Sequence, residues 1–425
     1  MTRKLVVVVA LTLMSVSPGL AQSILTLEAA QAEARAHAPD VAELDASVRG
    51  AQAVAAQAGR KLRQNPEVSG AIGPGALVGR PDELAWNLGA SLPIDISGSW
   101  KPRAASAKAD LARAQQDREA GLRALDERVA GAVAEVALRQ RAVARLARIA
   151  ELLQLAADAA HRQFDVGQGT QLDADSADLD LASARVTLEQ GRGELGSARV
   201  TLARLLGRTV REGLVVADPV EHPIPSVEPN FEAIVEQDPR IRASAAELEA
   251  AKFEDQMFAR LTTPSPSFGV AYGYQRRDIP AGSFSGAPFA NSLTAVWPDR
   301  ELTFNLSMAV PFFDRQQEPR ARATARILAA EAKLQSTRAD VRAELNTAWE
   351  TLQAASRSLQ AAGPMSGTID RDAAFVEQAV RAGAFDAVQR TQALRRLIES
   401  GQVTDSAVRD FRTARAAWLR RTGSR

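Results

Sequence analysis

Few residues in this chain are of a type and spacing that could do chemistry. Asp173, Asp175, Asp178 and Asp180 crowd one short stretch. They fail as a calcium loop, because Ala177 occupies the fifth position and Asp178 stands where the sixth requires glycine. They read instead as the acidic first turn of a helix, where carboxylates complement the positive end of the backbone dipole. Histidine occurs at 37, 161 and 222, and only His161 with Asp165 has ligand spacing on one helical face, which reads as an ordinary surface pair. Cysteine is absent from all 425 residues, which removes disulfides, thiolate metal sites, thiol nucleophiles and acylation of an N-terminal cysteine. With no nucleophile, base and acid in arrangement and no phosphate-cradling glycine loop, the expectation is no enzyme, no cofactor and no bound metal.

Composition narrows the class further. Fifty-two basic residues against 51 acidic leave a formal net charge of +1, with no electrostatic footprint for nucleic acid. Abundant alanine and 5% aromatic content suit long helices packed through small side chains better than a compact enzyme core. Arg3 and Lys4, the apolar run Leu5 to Val16, and Gly19-Leu20-Ala21 read as a signal peptide over 1–21. Its run of about 12 apolar residues is short of the roughly 20 that a membrane anchor needs.

The elements that would position these residues come in two copies. Ala38-Pro39-Asp40-Val41 answers Asp238-Pro239-Arg240-Ile241 at an offset of 200, and Pro66 answers Pro266 at the same offset. Lys101-Pro102-Arg103 answers Glu318-Pro319-Arg320, and Gly167 answers Gly383 at an offset of 216. The first repeat is expected over 22–218, with a helix at 26–64, strands at 67–78 and 84–94, a long helix at 102–165 and a return helix at 171–207. The second, over 219–425, has a helix at 229–262, strands at 267–276 and 300–311, a long helix at 319–382 kinked near 364, and a return helix at 386–421.

Each strand shows a period of two. Leu302, Phe304, Leu306 and Met308 alternate with Thr303, Asn305 and Ser307, as Phe268, Val270 and Tyr272 do with Gly269 and Ala271. Strands of about ten residues with one apolar face suit the wall of a transmembrane barrel, and also a half-buried soluble sheet. Four strands cannot close a barrel and lipid tolerates no open edge, so the membrane reading requires several chains to share one. In the long helix Leu122, Val129, Val136, Val143, Ala150 and Ala157 recur every seven residues, a coiled-coil seam with small knobs over a length of roughly 90 Å.

Taken together the chain resembles the TolC-like outer membrane efflux proteins. The resemblance rests on Asn65-Pro66-Glu67, on Val310-Pro311-Phe312-Phe313-Asp314-Arg315-Gln316, and on Phe164-x-x-Gly167-x-x-x-x-Leu172-Asp173. The Pro-Phe-Phe-Asp-Arg-Gln segment and the short first hairpin look like the heavy-metal (cobalt-zinc-cadmium) branch. The resemblance implies a mainly α protein in the outer membrane of a Gram-negative bacterium. Its coiled-coil helices would form a periplasmic α-barrel, and four strands per chain would enter a 12-stranded β-barrel of a homotrimer. It implies a passive exit duct for small solutes such as metal cations or drugs, working with a periplasmic adaptor and an inner-membrane pump. The adaptor would dock at a tip comprising Phe164, Gly167, Gly169, Leu172, Asp173, Gly383, Phe385 and Val388, with an acidic ring from Asp173, Asp175 and Asp386. The second copy departs from the family here, with Val388-Gln389 in place of leucine-aspartate. The alternative is a soluble periplasmic coiled-coil adaptor or scaffold, although adaptors carry one helical hairpin rather than two.

Overall fold

A computed structural model describes residues 24–61, 65–74, 84–208, 214–217, 230–279, 295–308, 310, 313, 315–381 and 387–423. The expected signal peptide, and Gly383, Phe385 and Asp386 of the expected tip, lie outside these residues. In chain order the elements are α1 (Leu27–His37), α2 (Pro39–Ala58), β1 (Glu67–Pro74), β2 (Leu84–Pro93), α3 (Trp100–Asp165) and α4 (Gln171–Leu205). The second series is α5 (Phe231–Gln237), α6 (Pro239–Arg260), β3 (Pro266–Ile279), β4 (Ala295–Met308), α7 (Gln317–Arg381) and α8 (Ala387–Thr422).

The single helices expected over 26–64 and 229–262 are each two. Pro39 and Pro239 have no N–H to donate and push the preceding residue out of the helical region. Ala38 accordingly lies at φ −62°, ψ 134°, and Asp238 at φ −65°, ψ 129°. Asp238 then caps α6, its carboxylate accepting from the Arg240 N–H at 2.8 Å. Pro364 lies inside α7, which stays helical across it, and the Ser366 hydroxyl donates to the Gly363 carbonyl at 2.9 Å.

All four strands form one antiparallel sheet in the order β1-β2-β3-β4, so strands of both repeats share it. Trp86 pairs with Tyr274, Leu88 with Tyr272, and Phe268 with Leu306. Beyond the expected strand ends, β3 and β4 stay paired as far as Ile279 and Ala295.

Two compact units result, and they cut across the repeats. One is Met1–Ala42, Gly121–Phe231 and Ala343–Arg425; the other is Glu43–Ala120 and Glu232–Arg342. In the first, Val129, Val133 and Val136 of α3 are buried with Ala30 and Ala34 of α1 and Leu195 and Leu202 of α4. A second cluster joins Ile149, Leu152 and Leu153 of α3 to Leu181 of α4, Val376 of α7, and Leu394 and Leu397 of α8. Each such side chain contributes roughly 1.5–3 kcal/mol by leaving water. Trp349 and Trp418 close the same unit, with ring centroids 5.1 Å apart.

The other unit holds the sheet and the helical segments next to it. Here the helices meet through alanine: Ala107 and Ala114 of α3, Ala250 and Ala251 of α6, and Ala323 and Ala330 of α7 are all buried. Small knobs let backbones approach, and the Ser106 hydroxyl reaches the Ala250 carbonyl at 3.1 Å. Flanking ion pairs fix the register, among them Lys333 to Glu247 at 2.7 Å, which holds the Glu247 carboxyl below its ordinary range.

Candidate functional site

Two places carry features that packing alone does not explain, the sheet and the turn between α3 and α4. On the sheet, the register gathers Val68, Ile72, Trp86, Leu88, Phe268, Val270, Tyr272, Leu302, Phe304 and Leu306 on one face. Every one of them is exposed, Phe304 by 75% and Val68 by 74%. A half-buried soluble sheet hides its apolar face, whereas no described part of this chain covers it. The opposite face is small and polar. Glu67, Ser69, Ser91, Ser267, Gly269, Asn305 and Ser307 line an open concavity there. Such a sheet is apolar toward one medium and wettable toward the other.

Trp86 stands at the centre of an aromatic group, its ring centroid 5.7 Å from that of Tyr272 and 6.5 Å from that of Tyr274. Among the described residues the outermost strands, β1 and β4, each pair with one neighbour, which leaves an open edge on each. No described helix is long and apolar enough to cross a membrane.

At the other place, α3 ends in a Schellman turn. Gly167 takes φ +75°, its N–H donates to the Phe164 carbonyl at 2.9 Å, and the Gln168 N–H donates to the Gln163 carbonyl at 2.8 Å. A residue with a side chain resists that φ, which is why glycine stands there. Thr170 then caps α4 in a reciprocal box. Its hydroxyl accepts from the Asp173 N–H at 3.2 Å, and the Asp173 carboxylate accepts from the Thr170 N–H at 3.1 Å and hydroxyl at 2.7 Å. These Thr170 hydrogen bonds hold the Asp173 carboxyl below its ordinary range.

The structure therefore brings Phe164, Gly167, Gly169, Leu172 and Asp173 together on this turn, with Asp175 exposed one turn into α4. Val388 falls in the first turn of α8. Leu172 is 77% exposed, and Phe164 beside it is exposed as well. Sequence reasoning missed Val166 and Leu179, both exposed here; the seven-residue step from Leu172 to Leu179 was the available signal. It also paired His161 with Asp165. Instead the His161 Nε2 lies 3.0 Å from Asp178, because a neighbour on the antiparallel helix is nearer than one a turn along the same helix. Among the described residues no group of His, Asp and Glu could hold a metal ion.

Comparison with known proteins adds three findings. Residues 15–208 match the family model described as outer membrane efflux protein. No curated protein matches the sequence. Among solved structures, the chain is similar to a membrane protein from Pseudomonas aeruginosa, at TM-score 0.74, 17% identity, and coverage of 93% of each chain. It is similar to the outer membrane protein VceC of Vibrio cholerae, at TM-score 0.69 and 16% identity, covering 93% of this chain and 96% of that one. It is similar also to the open state of the MtrE outer membrane channel of Neisseria gonorrhoeae, at TM-score 0.71 and 16% identity, covering 93% and 88%. At these identities the likeness is one of fold, over nearly the whole length.

Proposed function

We propose that this chain, whose residues 15–208 match the outer membrane efflux protein model and whose fold is shared along nearly its whole length with outer-membrane channels, is a member of that family and the exit duct of a tripartite efflux system. One observation carries the reading: a sheet with an apolar face that no described part of the chain covers, one small polar face and two open edges. The apolar face suits lipid and the polar face suits a water-filled lumen. Open edges in lipid are closed by pairing β4 of one copy with β1 of the next, and three copies of four strands make a 12-stranded barrel. The duct is passive and not an enzyme, and small solutes such as metal cations or drugs pass through as an inner-membrane pump delivers them.

The α3–α4 turn is the periplasmic tip in this reading. Exposed Phe164, Val166 and Leu172 offer an apolar ledge to an adaptor, with Gly167 and Gly169 shaping the turn. From the second copy, Gly383, Phe385 and Val388 are the residues proposed to dock the adaptor. Threefold repetition of Asp173, Asp175 and Asp386 would make an acidic ring that favours cations.

The test is electrophoresis of outer membranes with and without boiling. A trimer-sized band that collapses to a single chain on boiling is the expected result. A monomer recovered from the soluble periplasm would overturn the duct in favour of a scaffold.

A further inference from the structure

Where the chain passes between sheet and helix it carries cations and exposed apolar side chains together. The register sets Glu67 opposite Ser91, Pro93 opposite Ser267 and Pro266 opposite Met308, so these joints share one end of the sheet, the edge where strands meet helices. At the first joint, Lys61 and Lys101 both stand over the Trp100 indole, with Nζ 5.3 and 5.6 Å from the ring centroid. Both lysines are exposed, and among the described residues neither has a carboxylate partner. Asp95, in the same segment, spends its oxygens on the Ser97 N–H at 2.9 Å and the Ser99 hydroxyl at 2.6 Å. Two cations leaning on one ring repel each other, and an anion between them would replace that cost with attraction.

The arrangement is held in place. Arg103 donates to the carbonyls of Ala58 at 2.9 Å and Arg60 at 2.6 Å, tying the end of α2 and the adjoining Lys61 to the start of α3. At the last joint Phe313 is 96% exposed, yet its position is fixed. The Gln317 side-chain amide donates to the Phe313 carbonyl at 3.1 Å and accepts from the Arg315 N–H at 2.8 Å. Ile96, between β2 and α3, is exposed too.

We propose that these joints form a phospholipid-binding collar, in which Lys61 and Lys101 hold the phosphate of an anionic phospholipid against Trp100 with Ile96 among its first acyl carbons, while Phe313, two strands away at the β4 joint, reaches the acyl carbons of the neighbouring lipid. The inference rests on the duct reading, which puts the apolar sheet face in lipid and this edge at the periplasmic leaflet. A phospholipid is the occupant that offers an anion and hydrocarbon within one layer, and exposed apolar side chains occur both at the sheet's end, in Leu306 and Met308, and at the joints, in Ile96, Val310 and Phe313.

The test uses the full-length oligomer in mixed micelles of phosphatidylglycerol or phosphatidylcholine, weighed with its bound lipid by native mass spectrometry. The wild type is expected to retain phosphatidylglycerol preferentially. Lys61→Gln with Lys101→Gln should weaken that retention about twentyfold, Lys61→Arg with Lys101→Arg should preserve it, and inorganic phosphate should not compete. Equal retention of the two lipids by the wild type, or no loss in the glutamine variant, overturns the collar. So does a glutamine variant that no longer oligomerises, which would assign the lysines to a neighbouring copy. Planar-bilayer conductance separates the two readings. A variant that conducts but has lost the lipid supports the collar, and a wild type that never conducts overturns the duct and the collar with it.

Discussion

At the turn from α3 to α4 the identity of single residues decides the backbone. Gly167 at φ +75° could be replaced by alanine only at a cost of about 1 kcal/mol. Thr170 satisfies the first amides of α4 and also orders the Asp173 carboxylate. Removing that hydroxyl by Thr170→Ala should cost about 1 kcal/mol of helix stability. The pH dependence follows from the direction of the Asp173 shift. A carboxyl held below its ordinary range contributes stability above the unfolded value, near pH 4, and loses it as pH falls through the lower folded value. Thermal unfolding between pH 7 and pH 3 should therefore show the wild type ahead of the variant at neutral pH and the gap narrowing under acid. A gap independent of pH would mean that the carboxylate takes no part. This turn was legible in the sequence because helix capping and left-handed glycine are local chemistry. The His161–Asp178 contact was not, because it joins residues 17 apart on two helices.

For the sheet, the face a side chain occupies matters more than its type. Phe304 and Asn305 are neighbours in β4, yet Phe304 lies on the apolar face and Asn305 on the polar one. An arginine in place of Phe304 would face hydrocarbon, at a cost of roughly 2–4 kcal/mol near the membrane midplane. The same residue in place of Asn305 would face water. Phe304→Arg should deplete the outer-membrane oligomer while Asn305→Arg leaves it assembled, as read from heat-modifiable bands; equal losses would remove the distinction between faces. The alternation was plain in the sequence wherever apolar and small residues take turns. It gave no sign that β3 and β4 continue to Ile279 and Ala295, because Arg277 and Asp278 end the apolar alternation on one side, Pro298 reads as a strand breaker on the other, and only the backbone ladder carries the pairing on. The helix breaks at Pro39 and Pro239 were legible as prolines. Their consequence was missed because each proline reads as a marker of the repeat, with the expected helix running through it.

As a whole molecule, the chain is a repeat that does not make two domains. Each sequence copy contributes two strands and a pair of long helices, and each compact unit draws on both copies. Half of the sheet would leave β2 or β3 as a further open edge, so neither copy completes the fold alone. The same reasoning continues one level up, because β1 and β4 are still open in the finished protomer. The absence of cysteine makes this directly testable, since no native thiol competes with the introduced ones. Ala71 of β1 and Thr303, Asn305 and Ser307 of β4 share the polar face. Ala71→Cys combined in turn with Thr303→Cys, Asn305→Cys or Ser307→Cys samples the registers in which β4 of one copy could lie beside β1 of the next. A disulfide forms only where Cα atoms approach to about 4.4–6.8 Å, so one combination should trap dimers and trimers that survive boiling without reductant, and the single-cysteine parents should not. If every combination boils down to monomer, the strand edges are closed some other way and the shared barrel is refuted. A ladder ending at three chains would fix both the number of copies and the register that joins them.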